Sequence, residues 1–341
     1  MRLGSGWLVR MLSAAILASA LGTTVFSCGG DAASQSAPAQ IRLAQNPWSG
    51  SRIDAAVAAA LLRNELGYRV EIEPVDEYAQ WDSIASGALH ACLEVWPSGH
   101  AADIAKYIAT DHTVQNAGPL GVVGKIGWYV PAYVVAQHPE LVTWNGFVTP
   151  EAAALFQTPA SGGKGQFLAG DPSWVQFDAQ IIENLGLDFA VVFAGSEAAL
   201  LAQVADAYRE QVPLLFYYWR PHAAHRLYDL VEVQLPPYSP ECYARAATGG
   251  IDCDYPTDTL FKIVWPGLAA LAPQAYQFLT RFHWSTDQQT ELLAAVDLDG
   301  MTPDEAARRW IATHEDVWRE WLGARDESPA LPGNREITSW P

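Results

Sequence analysis

The chain is short of positive charge. Its 341 residues include 20 Lys and Arg against 38 Asp and Glu, a formal charge of −18. So acidic a protein is a poor partner for nucleic acid or an anionic membrane surface, whose binding depends on lysine and arginine opposite phosphate. Catalytic signatures are missing too. There is no His-Glu-x-x-His, no Gly-x-Ser-x-Gly and no Gly-x-x-x-x-Gly-Lys-Ser/Thr loop, which argues against zinc peptidases, nucleophile-elbow hydrolases and P-loop enzymes. His222 and His225 stand three apart, but no carboxylate or cysteine beside them completes a ligand set, so no metal is expected and no cofactor is implied. No internal repeat of solenoid type occurs.

What is present begins with an export signal. Arg2 and Arg10 precede an apolar, small-residue run over 11–26, too short to span a membrane and ending at Val25-Phe26-Ser27-Cys28. Residues 1–27 read as a signal peptide and Cys28 as the cysteine of a lipobox-like site, lipidated after cleavage. The following stretch to residue 40, rich in Ser, Ala, Gln and Gly, has too little apolar surface to fold and reads as a tether. Without Arg2 and Arg10 the exported chain carries a net charge of about −20. In an oxidising compartment Cys242 and Cys253, which bracket a Gly-rich polar loop, are expected to close it as a disulfide. Cys92, inside an apolar run, reads as a small buried residue.

From residue 41 the chain alternates strand and helix. Strands are predicted at 41–45, 70–75 and 89–95, with helices between them, and this pattern predicts a mainly parallel sheet covered by helices. The length calls for two lobes. A Gly-punctuated segment, 118–131, is read as the hinge into the second lobe, where strands are expected at 167–169, 190–193 and 214–218 and helices at 178–185 and 197–208, the latter capped by Ser196. Residues 257–265, 273–282, 286–296 and 302–322 all read as helices, the last opened by Thr302-Pro-Asp-Glu305.

Three segments share one build: a short apolar run ending at a Pro-containing turn that carries a Trp. These are 89–100, 167–174 and 214–222. Several of the 14 tryptophans are explained by core packing: Trp81, Trp284, Trp310, Trp318 and Trp321. Trp96, Trp174 and Trp219 instead stand where buried strands surface, which in open α/β sheets is where ligands bind. Three indole faces in one cleft suit a quaternary ammonium, which has no N–H to donate and whose specific partner is the negative face of a ring. A carboxylate on the same ligand would want turn amides and a histidine.

These segments resemble those of the glycine betaine/proline betaine substrate-binding proteins of bacterial ABC importers, and the resemblance covers most of 41–322. Glu94-Val-Trp-Pro-Ser-Gly-His100 resembles the segment whose Trp is a cage wall and whose His binds the ligand carboxylate. Gly170-Asp-Pro-Ser-Trp-Val-Gln176 resembles the one giving a second wall and two backbone amides for the carboxylate, here Val175 and Gln176. Phe216-Tyr-Tyr-Trp-Arg-Pro-His222 resembles the third-wall segment; Leu66-Gly-Tyr-Arg-Val70 and Gly127-Trp-Tyr-Val-Pro131 are supporting matches. The resemblance implies a two-lobed, type II-like periplasmic-binding-protein fold with the ligand in the inter-lobe cleft. Lobe one would be 41–125 and 231–323, lobe two 126–230, and 324–341 a tail. It implies a protein that is not an enzyme, exported and lipid-anchored at Cys28, that captures glycine betaine or a related quaternary amine and delivers it to an ABC permease and through it the ATPase. Either His100 or His222 would meet the carboxylate, and Arg220, a cation beside the third Trp, is expected to point away. Two other readings stay open: the same fold with choline, carnitine, a polyamine or a sugar, and a secreted hydrolase using Glu94 and Asp171.

Overall fold

The computed structural model describes residues 39–323. The signal peptide, Cys28, nearly all of the tether and the tail at 324–341 lie outside the described residues. Nine strands form one sheet: β1 (Gln40–Gln45), β2 (Arg69–Pro74), β3 (Ala91–Val95), β4 (Gln115–Pro131), β5 (Gly165–Ala169), β6 (Phe189–Phe193), β7 (Leu215–Arg220), β8 (Leu230–Glu232) and β9 (Thr257–Val264). The order is β2-β1-β3-β9-β4-β7-β5-β6, with β8 also on β4. The outer ladders, β1 with β2 and β3, and β5 with β6 and β7, are parallel, as strand-helix alternation predicts. The middle is antiparallel, because β9 and β4 run against their neighbours.

One expectation fails in this middle region. Residues 257–265, predicted helical, form strand β9, whose burial alternates over its first four residues before it becomes fully buried. Lys262 breaks the apolar pattern there, yet it is a strand residue: its stem is buried and its ammonium is received by the carbonyls of Thr280 and Phe282. The Gly-punctuated segment 118–131, read as the crossing between lobes, is extended chain and forms the body of the 17-residue strand β4. One of its glycines is required by close approach rather than by bending, since a Cβ on Gly124 would lie 2.4 Å from the Trp96 indole. The partner of β4 changes along its length: β9 pairs from Gln115 to Lys125, and β7 from Lys125 to Tyr129.

Helices cover the sheet where apolar periodicity places them. The helix Ser49–Asn64 buries Ile53, Val57, Leu61 and Leu62. Ser196 caps Glu197–Glu210 by accepting from the Ala199 amide, and Thr302 with Glu305 forms a capping box. The final stretch is two helices, Pro303–Thr313 and Glu315–Leu322, broken at His314, which lets Trp310, Trp318 and Trp321 all turn inward. Residues 231–256 stay with the second half of the sheet: β8 pairs with β4, and Asn184 donates to the carbonyls of Gly249 and Ile251. Within that stretch the Sγ atoms of Cys242 and Cys253 are 2.06 Å apart, across a sequence separation of 11. A loop of this length gives about 2–3 kcal/mol of loop-closure stabilisation. Replacing both cysteines with serine is therefore expected to lower the unfolding free energy by about that amount, read as a lower urea midpoint.

Candidate functional site

The carboxyl ends of the parallel strands converge on one cavity. Trp48 follows β1, Glu77 follows β2, Trp96 follows β3, Trp174 lies in the turn after β5, and Trp219 is near the end of β7. The space between the walls is about 470 Å³ including its mouth. Four indoles surround it. Trp174 stands edge-on to Trp48, with centroids 6.5 Å apart and planes at 84°, and edge-on to Trp219 at 5.2 Å and 86°. Tyr217, Tyr255 and Phe177 complete the aromatic wall, and among the described residues no lysine or arginine lines it. Gly170 gives Trp174 its room, since a Cβ there would meet the ring at 2.0 Å.

Two of the rings are fixed from behind by one carboxylate. Glu94 Oε1 accepts from Trp48 Nε1 at 2.7 Å and from Trp96 Nε1 at 3.0 Å, while Oε2 accepts from Gln289 Nε2 at 3.0 Å. Burial raises Glu94, and it raises neighbouring Asp54 well above the ordinary carboxylate value. With three N–H donors on Glu94, the proton of this pair belongs on Asp54 and Glu94 remains the acceptor. Indoles anchored this way turn their N–H groups away from the cavity.

A second carboxylate, Glu77, lies in the wall itself. Its Oε2 accepts from the Val175 amide at 2.7 Å and its Oε1 contacts His100 Nε2 at 3.0 Å. On its other side His100 Nδ1 is 2.9 Å from Asp103. Burial alone would lower the His100 pKa, but the hydrogen bonds and charges of Asp103 and Glu77 outweigh it and hold the ring at about 9. The value is raised above the ordinary 6.5, so the stability this proton contributes is complete below pH 6.5 and is lost as pH rises through about 9. The urea midpoint is accordingly expected to fall between pH 6.5 and 9.5, by up to about 3 kcal/mol in free energy. Lys262, lowered to about 8 by burial, opposes this trend at the upper end. The quantity to measure is therefore the difference between the wild-type slope and that of His100→Gln; equal slopes would remove the ion cluster as the cause.

Of the residues singled out from the sequence, Trp96, Trp174, Val175 and Trp219 line the cavity. His100 lies one layer out, behind Glu77. Gln176, whose backbone amide is the expected contact, is not in the lining, and its side-chain amide donates to the Asp171 carbonyl. His222 is a correction: it stands behind Trp219, with Nδ1 2.7 Å from the Tyr218 hydroxyl and Nε2 2.9 Å from Glu197, and does not reach the cavity. Glu197 in turn accepts from the Ser49 amide, next to Trp48. Arg220 is exposed, with its guanidinium 5.7 Å from the Tyr129 ring centroid rather than in the cage. Glu94 and Asp171 do not form a facing pair in the cavity: one is buried on indole N–H groups and the other accepts from Ser173 in its own turn. Sequence reasoning missed Trp48 and Glu77. Trp48 carried a signal, since Asn46-Pro-Trp-Ser49 is another Pro-containing strand end.

Comparison with known proteins bears on the fold and the family. Over 310 residues the chain is 28% identical to the trimethylamine N-oxide-binding protein of Pelagibacter ubique (strain HTCC1062), covering 89% of this chain and 96% of that protein. It is similar in structure to the glycine betaine/L-proline-binding protein ProX of Borrelia burgdorferi, with a TM-score of 0.67 and 18% identity over 83% of this chain and 96% of that one. Lactococcal OpuAC, in its closed conformation with glycine betaine, gives a TM-score of 0.62 and 21% identity over 83% of this chain and 99% of that one. These likenesses show the fold, the two-lobed periplasmic-binding-protein architecture. Residues 39–313 match the OpuAC family, described as the substrate-binding domain of ABC-type glycine betaine transport systems, and the chain belongs to that family.

Proposed function

We propose that this protein captures glycine betaine or a related methylated ammonium compound in the cage of Trp48, Trp96, Trp174 and Trp219 and delivers it to the permease of an ABC importer. The observation that carries this reading is four indoles around one cavity that holds no lysine or arginine. A methylated ammonium is attracted by ring faces, and the attraction grows from about 0.5–1 kcal/mol at an exposed site to about 2 kcal/mol when desolvated. Closure of two lobes around the ligand supplies that desolvation. The lobes we propose are 41–125 and 126–230, supported by the change of β4's partner at Lys125. The sequence places the return to lobe one at 231; the contacts of 231–256 with the second half favour a return near 256–257. In this reading the protein is a capture device and not an enzyme, exported and held to the membrane by lipid at Cys28. No described helix is long and apolar enough to cross a membrane.

The test is calorimetric or tryptophan-fluorescence titration of the purified protein with tetramethylammonium, choline, trimethylamine N-oxide, glycine betaine, proline betaine and carnitine. Binding of at least one below millimolar concentration is expected. No response to any of them would overturn the cage reading and leave the fold untouched.

A further inference from the structure

The cage would accept any methylated ammonium head; compounds of that class differ in the polar group attached to it. A ligand carboxylate entering this cavity would look for a backbone amide and a protonated histidine. Both are already engaged. The Val175 amide donates to Glu77 Oε2 at 2.7 Å and His100 Nε2 meets Glu77 Oε1 at 3.0 Å, so the protein's own carboxylate occupies that position. Glu77 is buried and belongs to the cavity wall. Its surroundings add negative charge: Asp103 is on the far side of His100, and the Ser98 hydroxyl, another wall residue, is 2.7 Å from Asp258. No lysine or arginine of the lining offers a replacement donor. A second carboxylate would therefore meet like charge at close range with the Val175 amide and His100 already engaged, and the Trp174 indole N–H, buried without a partner, is a neutral donor that does not offset that charge.

We infer that this site selects methylated ammonium compounds that carry no carboxylate, and that Glu77 is the specificity-determining residue. The inference rests on the cage reading above. Glu77 takes the place of the ligand's carboxylate and serves as counter-charge to its cation. A hydroxyl-bearing tail, as in choline, can donate to Glu77; an N-oxide oxygen only accepts and cannot. The two sources of a carboxylate-free head are thus separable by experiment.

The experiment is calorimetry on the exported chain with tetramethylammonium, choline, trimethylamine N-oxide and glycine betaine, for wild type, Glu77→Gln and Glu77→Ala. Wild type is expected to bind choline or the N-oxide at least tenfold more tightly than glycine betaine. In Glu77→Ala that preference is expected to shrink by tenfold or more, because the Val175 amide and His100 become free to receive the ligand carboxylate. Glu77→Gln keeps the shape of the side chain and secures the comparison if the alanine variant does not fold. A loss of choline affinity larger than that of N-oxide affinity would mark choline as the better match. Wild-type preference for glycine betaine, or a preference unchanged in both variants, would overturn the inference while leaving the cage intact. Failure of every compound, tetramethylammonium included, would overturn the cage reading and this inference with it.

Discussion

A Trp174→Ala protein is expected to bind its methylated ammonium ligand at least about 30-fold more weakly than wild type, the equivalent of losing one desolvated cation–π contact of about 2 kcal/mol. Trp174 is the wall whose loss does most damage because the others lean on it. It is edge-on to Trp48 and to Trp219 and lies 5.9 Å from Tyr217, so its removal takes away a packing partner of three neighbouring rings, of which Trp48 alone keeps its anchor on Glu94, as well as one face. Rings that are no longer held must be ordered by the ligand, which lowers affinity further. Truncating a buried Trp also costs folding stability, about 3–5 kcal/mol, so Trp174→Phe provides the control. Phenylalanine keeps a ring over the cation, and its loss of affinity should be several-fold smaller than alanine's while the melting temperature stays nearer wild type. Equal affinity of Trp174→Ala and wild type, by calorimetry with whichever compound binds, would dismiss the cage.

Much of this site is legible in the sequence, and the unreadable part has a physical reason. Trp96, Trp174 and Trp219 announce themselves because a short apolar run, a proline and an indole together mark where a buried strand reaches the surface. Trp48 has the same signature at the end of β1, but the Asn-Pro-Trp-Ser turn that carries it opens a helix and reads only as the connection between strand and helix. Glu77 has no local signature. It is one acid in a turn after β2, and its meaning comes from the Val175 amide 98 residues away and from His100 23 residues on. The same limit governs β9. Its eight residues form a strand because β3 and β4 flank them on both sides, and Lys262 is tolerated inside because two distant carbonyls receive it. Local propensity has no access to either fact. His222 misleads in the opposite direction, since its position after Trp219 suggests the ligand while its ring is committed to Tyr218 and Glu197 behind the wall.

Glu94→Ala is expected to lower both stability and affinity without touching any residue that faces the ligand. The carboxylate lies outside the cavity lining, yet Trp48 and Trp96 both donate to the same oxygen, so it sets the rotation of two walls. Alanine leaves two buried indole N–H groups and one of the two Gln289 amide hydrogens without an acceptor, the other still reaching Asp54, at about 1–3 kcal/mol for each N–H left unsatisfied. The expected results are a stability loss of at least about 3 kcal/mol and an affinity loss of tenfold or more, because unanchored indoles no longer hold their faces toward the cation. Glu94→Gln separates anchoring from charge. Its amide oxygen can still accept from both indoles, but its NH₂ then faces the Gln289 amide, which already donates to Asp54. One donor must face another unless Gln289 turns over and sets its oxygen against Asp54, which burial keeps protonated and able to donate. Glutamine should therefore retain most of the affinity and lose about 1 kcal/mol of stability. If Glu94→Gln proved as damaging to binding as Glu94→Ala, the negative charge of Glu94, and not its grip on the two indoles, would be what the bound cation requires.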